Sequence, residues 1–115
     1  MKNKKIKVGI IGCGTIGASI ALACQKDLAE DVDLAALCDI DKEKALSLAI
    51  TLQHKVPVFD MNELIAKSAL VVEAASASIS ADVLSSCIAA KRDCLVMSVG
   101  GLVGKEDILS RAAAA

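Results

Sequence analysis

The sequence predicts an α/β domain, a doubly wound parallel sheet of the Rossmann-like kind in strand order 3-2-1-4-5 with helices on both faces. Three observations predict it. Apolar runs of strand length alternate with amphipathic runs of helix length at short spacing. The apolar runs lack strict period-two alternation, as strands buried on both faces do. The glycine-rich stretch Gly12-Cys13-Gly14-Thr15-Ile16-Gly17 joins the first apolar run to the first amphipathic one. Right-handed crossovers then place helices on both sides of one sheet.

The elements follow in order. After the polar lead-in Lys2–Lys5, the first strand is expected over Lys5–Ile11. The helix opening at Thr15 is expected to turn Ile16, Ile20, Ala23 and Leu28 towards the sheet, with Gln25, Lys26 and Glu30 outward. Asp33–Cys38 reads as the second strand, ending at Asp39. A second helix over Asp41–Gln53 has its acids early and Ala45, Leu48, Ala49 and Leu52 on one face. Val56–Phe59 is a short third strand, placed at an edge because Pro57 has no N–H to donate. Asp60 with Glu63 forms a capping box for a short helix through Lys67. Ala69–Ala74 is the fourth strand, followed by the turn Ala75–Ser78 and a helix from about Ser80 to Lys91. Asp93–Val99 is the fifth strand, broken by Gly100 and Gly101, and Lys105–Ala114 reads as a final helix.

Composition bounds the function. Apolar residues make up 55% of the 115 residues, enough for one domain with one core. The net charge of −1 points to neither nucleic acid nor an anionic membrane as partner. No apolar run approaches membrane-spanning length and no signal-peptide core follows the first lysines, so a cytoplasmic location is expected. The cysteines Cys13, Cys24, Cys38, Cys87 and Cys94 are odd in number and form no C-x-x-C, so they read as reduced, mostly buried thiols. Cys13 lies in the glycine turn and is expected to face a cofactor.

The glycine stretch sits between a strand and a helix, which is where a dinucleotide fingerprint works. Gly12 would make the tight turn out of the strand. Gly14, without a Cβ, would let a pyrophosphate approach the backbone, and Gly17 would let the helix pack hard on its strand. The helix N-terminus offers free N–H groups and the positive end of its dipole. Asp39, at the end of the second strand, lies about 20 residues further on, where a ribose-binding acid belongs. Its carboxylate accepts ribose hydroxyls and repels a 2′-phosphate, which favours NAD over NADP. Small residues at the ends of the fourth and fifth strands, among them Ala75, Ser76, Ser98 and Val99, leave room for a nicotinamide and its ribose, while Ser76 and Ser98 read equally well as ordinary turn or cap residues. Glu73, an acid in an apolar strand, needs a partner or a solvated place and is read as structural at the crevice mouth. His54, the single histidine, is read as a solvated loop residue. No metal-ligand cluster stands out.

The segments Val8–Gly17, Val71-Val72-Glu73-Ala74-Ala75-Ser76 and Leu95-Val96-Met97-Ser98-Val99-Gly100 together resemble the N-terminal cofactor domain of L-aspartate dehydrogenases. That resemblance implies hydride transfer from L-aspartate to NAD or NADP, giving iminoaspartate and then oxaloacetate and ammonia. It assigns Gly12, Gly14, Thr15, Ile16 and Gly17 to the pyrophosphate, Asp39 to the ribose, and Ala75, Ser76, Ser98 and Val99 to the nicotinamide side. It also implies a homodimer and a second domain, carrying the substrate grip and the catalytic histidine, beyond this stretch. His54 does not match that histidine, and no catalytic residue is assigned here. A homoserine dehydrogenase-like enzyme is the nearest rival, although its usual glycine pair after Val-Val-Glu is replaced by Ala75 and Ser76. A stand-alone nucleotide-binding or redox-sensing module is the rival from another class.

Overall fold

The computed structural model describes residues 5–97. Its elements are β1 (Ile6–Ile11), α1 (Thr15–Gln25), β2 (Val32–Cys38), α2 (Lys42–Thr51), α3 (Met61–Lys67), β3 (Leu70–Glu73), α4 (Ala77–Ala90) and β4 (Asp93–Val96). All strand pairs are parallel, in the order β2-β1-β3-β4. The α/β class and parallel sheet are as the sequence predicts; the strand list is not. Val56–Phe59 is not a strand. It makes one parallel bridge, from Val58 to Leu37 of β2. Leu37 donates to the Pro57 carbonyl at 3.0 Å and Phe59 donates back to Leu37 at 2.9 Å. Pro57, with no N–H, cannot extend that ladder.

Each side of the sheet has its own core. Val8, Ile10, Leu34, Leu37 and Val72 pack with Ala21 and Cys24 of α1 and Ala45 and Leu48 of α2. Ile11, Ala36, Cys38 and Val71 pack with Leu64 and Ile65 of α3 and Val83 and Cys87 of α4. The two clusters account for the missing alternation in the sequence, since both faces of each central strand are buried. A register shift adds to it. Val8 pairs with Leu34 but Gly9 with Ala36, so Ala35 is a bulge residue, and Leu34 and Leu37 reach the same face three positions apart.

The first helix is turned differently from expectation. Gly17, Ala21 and Cys24 are its buried residues, whereas Ile16 and Leu28 are exposed and Ile20 and Ala23 half-buried. Close packing at Gly17 sets this rotation, because small residues let the helix lie against β1. The helix also ends at Gln25, and residues 26–31 form turns. The acids expected at the starts of α2 and α3 are there, and α2 runs to Thr51 rather than Gln53. Asp41 accepts from the Glu43 N–H at 3.1 Å and Asp60 from the Glu63 N–H at 2.8 Å. Ala45, Leu48 and Leu52 are buried. The last described helix starts at Ala77, earlier than expected. The last two residues of the fifth predicted strand, Ser98 and Val99, and the Lys105–Ala114 helix lie outside the described residues. Among the described residues no helix is long and apolar enough to cross a membrane.

Candidate functional site

The site begins where β1 ends. Gly12 has φ +104°, a conformation that L side chains rarely adopt, and its N–H donates to the Cys38 carbonyl at 2.7 Å. A Cβ there would stand 2.5 Å from the backbone of Ala74 and Ala75. A Cβ on Gly17 would run into the Gly12 carbonyl oxygen. Gly14 is different: a Cβ on it would meet nothing within 4 Å. Two of the glycines are therefore demanded by the fold itself, and the third faces open space.

Gly14 is also the N-cap of α1, with no side-chain cap and no acid in the first turn. The helix thus begins with uncapped N–H groups and a positive dipole end beside an exposed, unencumbered glycine. α4 begins likewise: its N-cap Ser76 makes no capping bond, its hydroxyl instead lying 2.8 Å from the Ser78 hydroxyl, and the first turn holds no acid. In contrast, α2 and α3 are capped by Asp41 and Asp60 and carry Glu43 and Glu63 in their first turns.

Asp39 ties β2 to the glycine turn. One carboxylate oxygen accepts from the Cys13 N–H at 2.7 Å and the other from the Asp41 N–H at 2.9 Å. Asp39 remains half-buried at the cleft wall. A cleft of about 500 Å³ opens beside it, with Ile40, Lys42, Phe59, Met61 and Ile79 among its lining residues. Ile40 is 83% exposed, an apolar side chain held out next to the acid. On the other side of β1, β3 and the turn after it stand against Gly12. The Ala74 N–H donates to the Ile11 carbonyl and the Ala75 N–H to a carboxylate oxygen of Glu73, both at 2.8 Å. Ala75 and Ser76 are exposed there.

The expected site residues Gly12, Gly14, Thr15, Ile16, Gly17, Asp39, Ala75 and Ser76 therefore gather along the carboxyl end of the sheet, around the β1 and β3 ends. Ser98 and Val99 lie outside the described residues. Cys13 does not face the cleft. It is buried in the α1–α2 core, its thiol 3.5 Å from the Cys38 carbonyl. Burial, with the Asp39 and Cys38 charges behind it, pushes this thiol up to about 12. The turn sends the Cys13 N–H to Asp39 and so points its side chain inward. His54 is exposed, its backbone bridged by the Gln25 side chain at 3.0 and 3.3 Å. Its link is to the last residue of α1, away from the glycine turn. Among the described residues no group of His, Cys, Asp and Glu could hold a metal ion. The sequence reading missed Ile40, Phe59 and Ile79 as cleft residues. The signal for Ile40 was its place directly after the acid; Phe59 and Ile79 are brought there only by tertiary packing.

The residues present fit a dinucleotide: an open Cβ-free position at a helix N-terminus, with a fixed carboxylate at the end of the neighbouring strand. Fold and turn together define a dinucleotide-binding α/β domain. The chain belongs to the family of homoserine dehydrogenase NAD-binding domains, whose model matches residues 12–115. NAD is accordingly the cofactor class of this domain. The expected likeness to L-aspartate dehydrogenases holds over this stretch. The chain is 41% identical over 103 residues to the L-aspartate dehydrogenase of Methanosarcina mazei, covering 88% of the chain and 37% of that protein. It is 37% identical over 100 residues to that of Methanocella arvoryzae, covering 87% and 37%. The chain thus spans little over a third of the length of these relatives. Among solved structures, myo-inositol dehydrogenase from Lactobacillus casei, in complex with NAD(H) and myo-inositol, superposes with a TM-score of 0.85. That match has 17% identity and covers 97% of the chain and 34% of that structure, a likeness of fold.

Proposed function

We propose that this chain is the NAD-binding part of an enzyme that oxidises L-aspartate to iminoaspartate. The imine then hydrolyses to oxaloacetate and ammonia. The observation that carries the substrate assignment is the 41% identity to an L-aspartate dehydrogenase across 88% of the chain. NAD, when bound, supplies the acceptor for the hydride leaving the substrate. In this reading the chain's own residues bind and orient. The N-terminus of α1, with Gly12, Gly14, Thr15, Ile16 and Gly17, holds the pyrophosphate. Asp39, locked by two backbone N–H groups, accepts the hydroxyls of the adenosine ribose. Ile40, Phe59 and Ile79 offer apolar walls for the adenine. Ala75 and Ser76, with Ser98 and Val99, line the nicotinamide side. The small-molecule substrate, the catalytic histidine and the homodimer contacts belong to a further domain.

The family's own description favours a second reading, a homoserine dehydrogenase. Against it, Ala75 and Ser76 stand where that resemblance expects two glycines. The full-length protein carrying this sequence separates the two. Aspartate oxidation with NAD, or NADH oxidation by oxaloacetate and ammonia, is the expected result. Turnover of L-homoserine with none of L-aspartate would replace the first reading by the second. NADH binding without turnover of either would favour the stand-alone module.

A further inference from the structure

Glu73 is an acid at the carboxyl end of the apolar strand β3, and it is completely buried. A buried carboxylate is costly unless hydrogen bonds compensate it, so its place asks for a reason. One carboxylate oxygen takes the Ala75 N–H at 2.8 Å, two residues ahead. The backbone of Glu73 is fixed on both sides. It pairs with Ile11 of β1 and Val96 of β4, and its carbonyl accepts from the Met97 N–H at 2.9 Å. The turn that Glu73 holds is the one that presses on Gly12. Ala74 donates to Ile11, and the Ala74–Ala75 backbone fills the space a Gly12 side chain would need. The chain then reaches the uncapped start of α4 at Ser76.

We infer that Glu73 is a positioning residue for the bound dinucleotide, its buried carboxylate holding the 74–76 turn against the glycine turn. This inference rests on the NAD-binding reading above and deepens it. The glycine turn and Asp39 serve the phosphates and the adenosine ribose; the turn after β3 serves the nicotinamide. Glu73 holds the second directly, through the Ala75 N–H. Its loss releases the Ala75 N–H, shifts the Ala74–Ser76 backbone and spoils the nicotinamide half of the cleft, while the Asp39–Cys13 and Gly12–Cys38 bonds remain.

The test compares NADH with ADP-ribose, which has the pyrophosphate and both riboses but no nicotinamide, as ligands of the full chain. Glu73→Leu is expected to weaken NADH by about tenfold or more while leaving ADP-ribose within about twofold, a loss of the size a hydrogen bond to a buried charge supports. Glu73→Gln, which keeps an acceptor oxygen, is expected to restore most of the NADH affinity. Equal losses for both ligands, or no loss in a folded Glu73→Leu variant, overturn the inference and leave the NAD-binding reading standing. Failure of the unaltered chain to bind either ligand overturns that reading itself. Amide hydrogen exchange of the unaltered chain needs no variant. The exposed Ala75 is expected to have a slowly exchanging N–H because Glu73 holds it, and exchange at the rate of a free turn amide overturns the inference even if Glu73→Leu does not fold.

Discussion

The carboxylate of Asp39 accepts a 2.7 Å hydrogen bond from the backbone N–H of Cys13, 26 residues earlier in the chain. The acid at the end of β2 and the turn at the end of β1 are therefore one rigid unit. The second oxygen takes the Asp41 N–H and so also orders the entry to α2. A ribose reaching this acid meets a carboxylate whose direction is already set, which lowers the ordering cost of binding.

Asp39→Ser should weaken NADH by about tenfold or more and NADPH by less, because in the proposed role the carboxylate both accepts ribose hydroxyls and repels a 2′-phosphate. It also takes the acceptor from the Cys13 and Asp41 N–H groups, so a stability loss of about 1–2 kcal/mol should accompany it. Calorimetric titration with the two cofactors checks the first effect and urea unfolding the second. Equal losses for NADH and NADPH would remove Asp39 from the ribose role.

Gly9 supports the site from below. A Cβ there would meet the Ser68 hydroxyl and stand 2.6 Å from a methyl of Leu64, so α3 lies directly on β1 at this point. Gly9→Ala should push α3 outward and cost about 1–3 kcal/mol, the range for overpacking a tight contact. Its urea midpoint should fall with the m-value unchanged. An unaltered midpoint would mean that α3 yields freely.

Buried thiols make the domain sensitive to alkali. Cys13, Cys24 and Cys38 are all raised above their ordinary value of 9.0, chiefly by burial, and Cys13 reaches about 12. Above pH 9.0 the unfolded chain releases these protons while the native state still holds them. Stability is thus whole below that pH and declines as pH rises towards about 12. Unfolding curves at about pH 8 and about pH 10.5 should show the fall, and Cys13→Ala should make it shallower. The same protonation predicts that Cys13 resists alkylation in the folded chain despite its place in the glycine turn. Rapid native labelling of Cys13 would contradict its burial.

Lys91 closes α4 with φ 57°, in the left-handed region that favours glycine. Lys91→Gly should therefore raise stability by about 0.5–1 kcal/mol, read as a higher melting temperature. A lower one would show that the lysine side chain contributes more than the strain costs.

Much of this arrangement was legible in the chain because short-range chemistry dictates it. Gly12, Gly14 and Gly17 mark a strand–turn–helix junction, Asp41 and Asp60 announce helix starts, and Asp39 falls at the right distance from the turn. What was not legible depends on contacts across the sheet. Ile16 and Leu28 fit a helical stripe as well as Ala21 and Cys24 do, and only the close approach at Gly17 decides between them. Cys13 points inward because its N–H is taken by a residue from another strand. Val56–Phe59 has strand composition, but Pro57 limits it to one bridge. Glu73 reads as a structural acid at the crevice mouth, in need of a partner or a solvated place. That its carboxylate takes the Ala75 N–H follows from the turn geometry.

The proposed dinucleotide cradle stands or falls with NADH titration of Gly14→Val beside the unaltered chain. The new side chain enters open space, so the variant should fold and melt as the unaltered chain does. It should nonetheless lose NADH affinity by at least about a hundredfold, because the isopropyl group would occupy the place proposed for the pyrophosphate. A folded Gly14→Val that binds NADH as tightly as the unaltered chain would contradict the account.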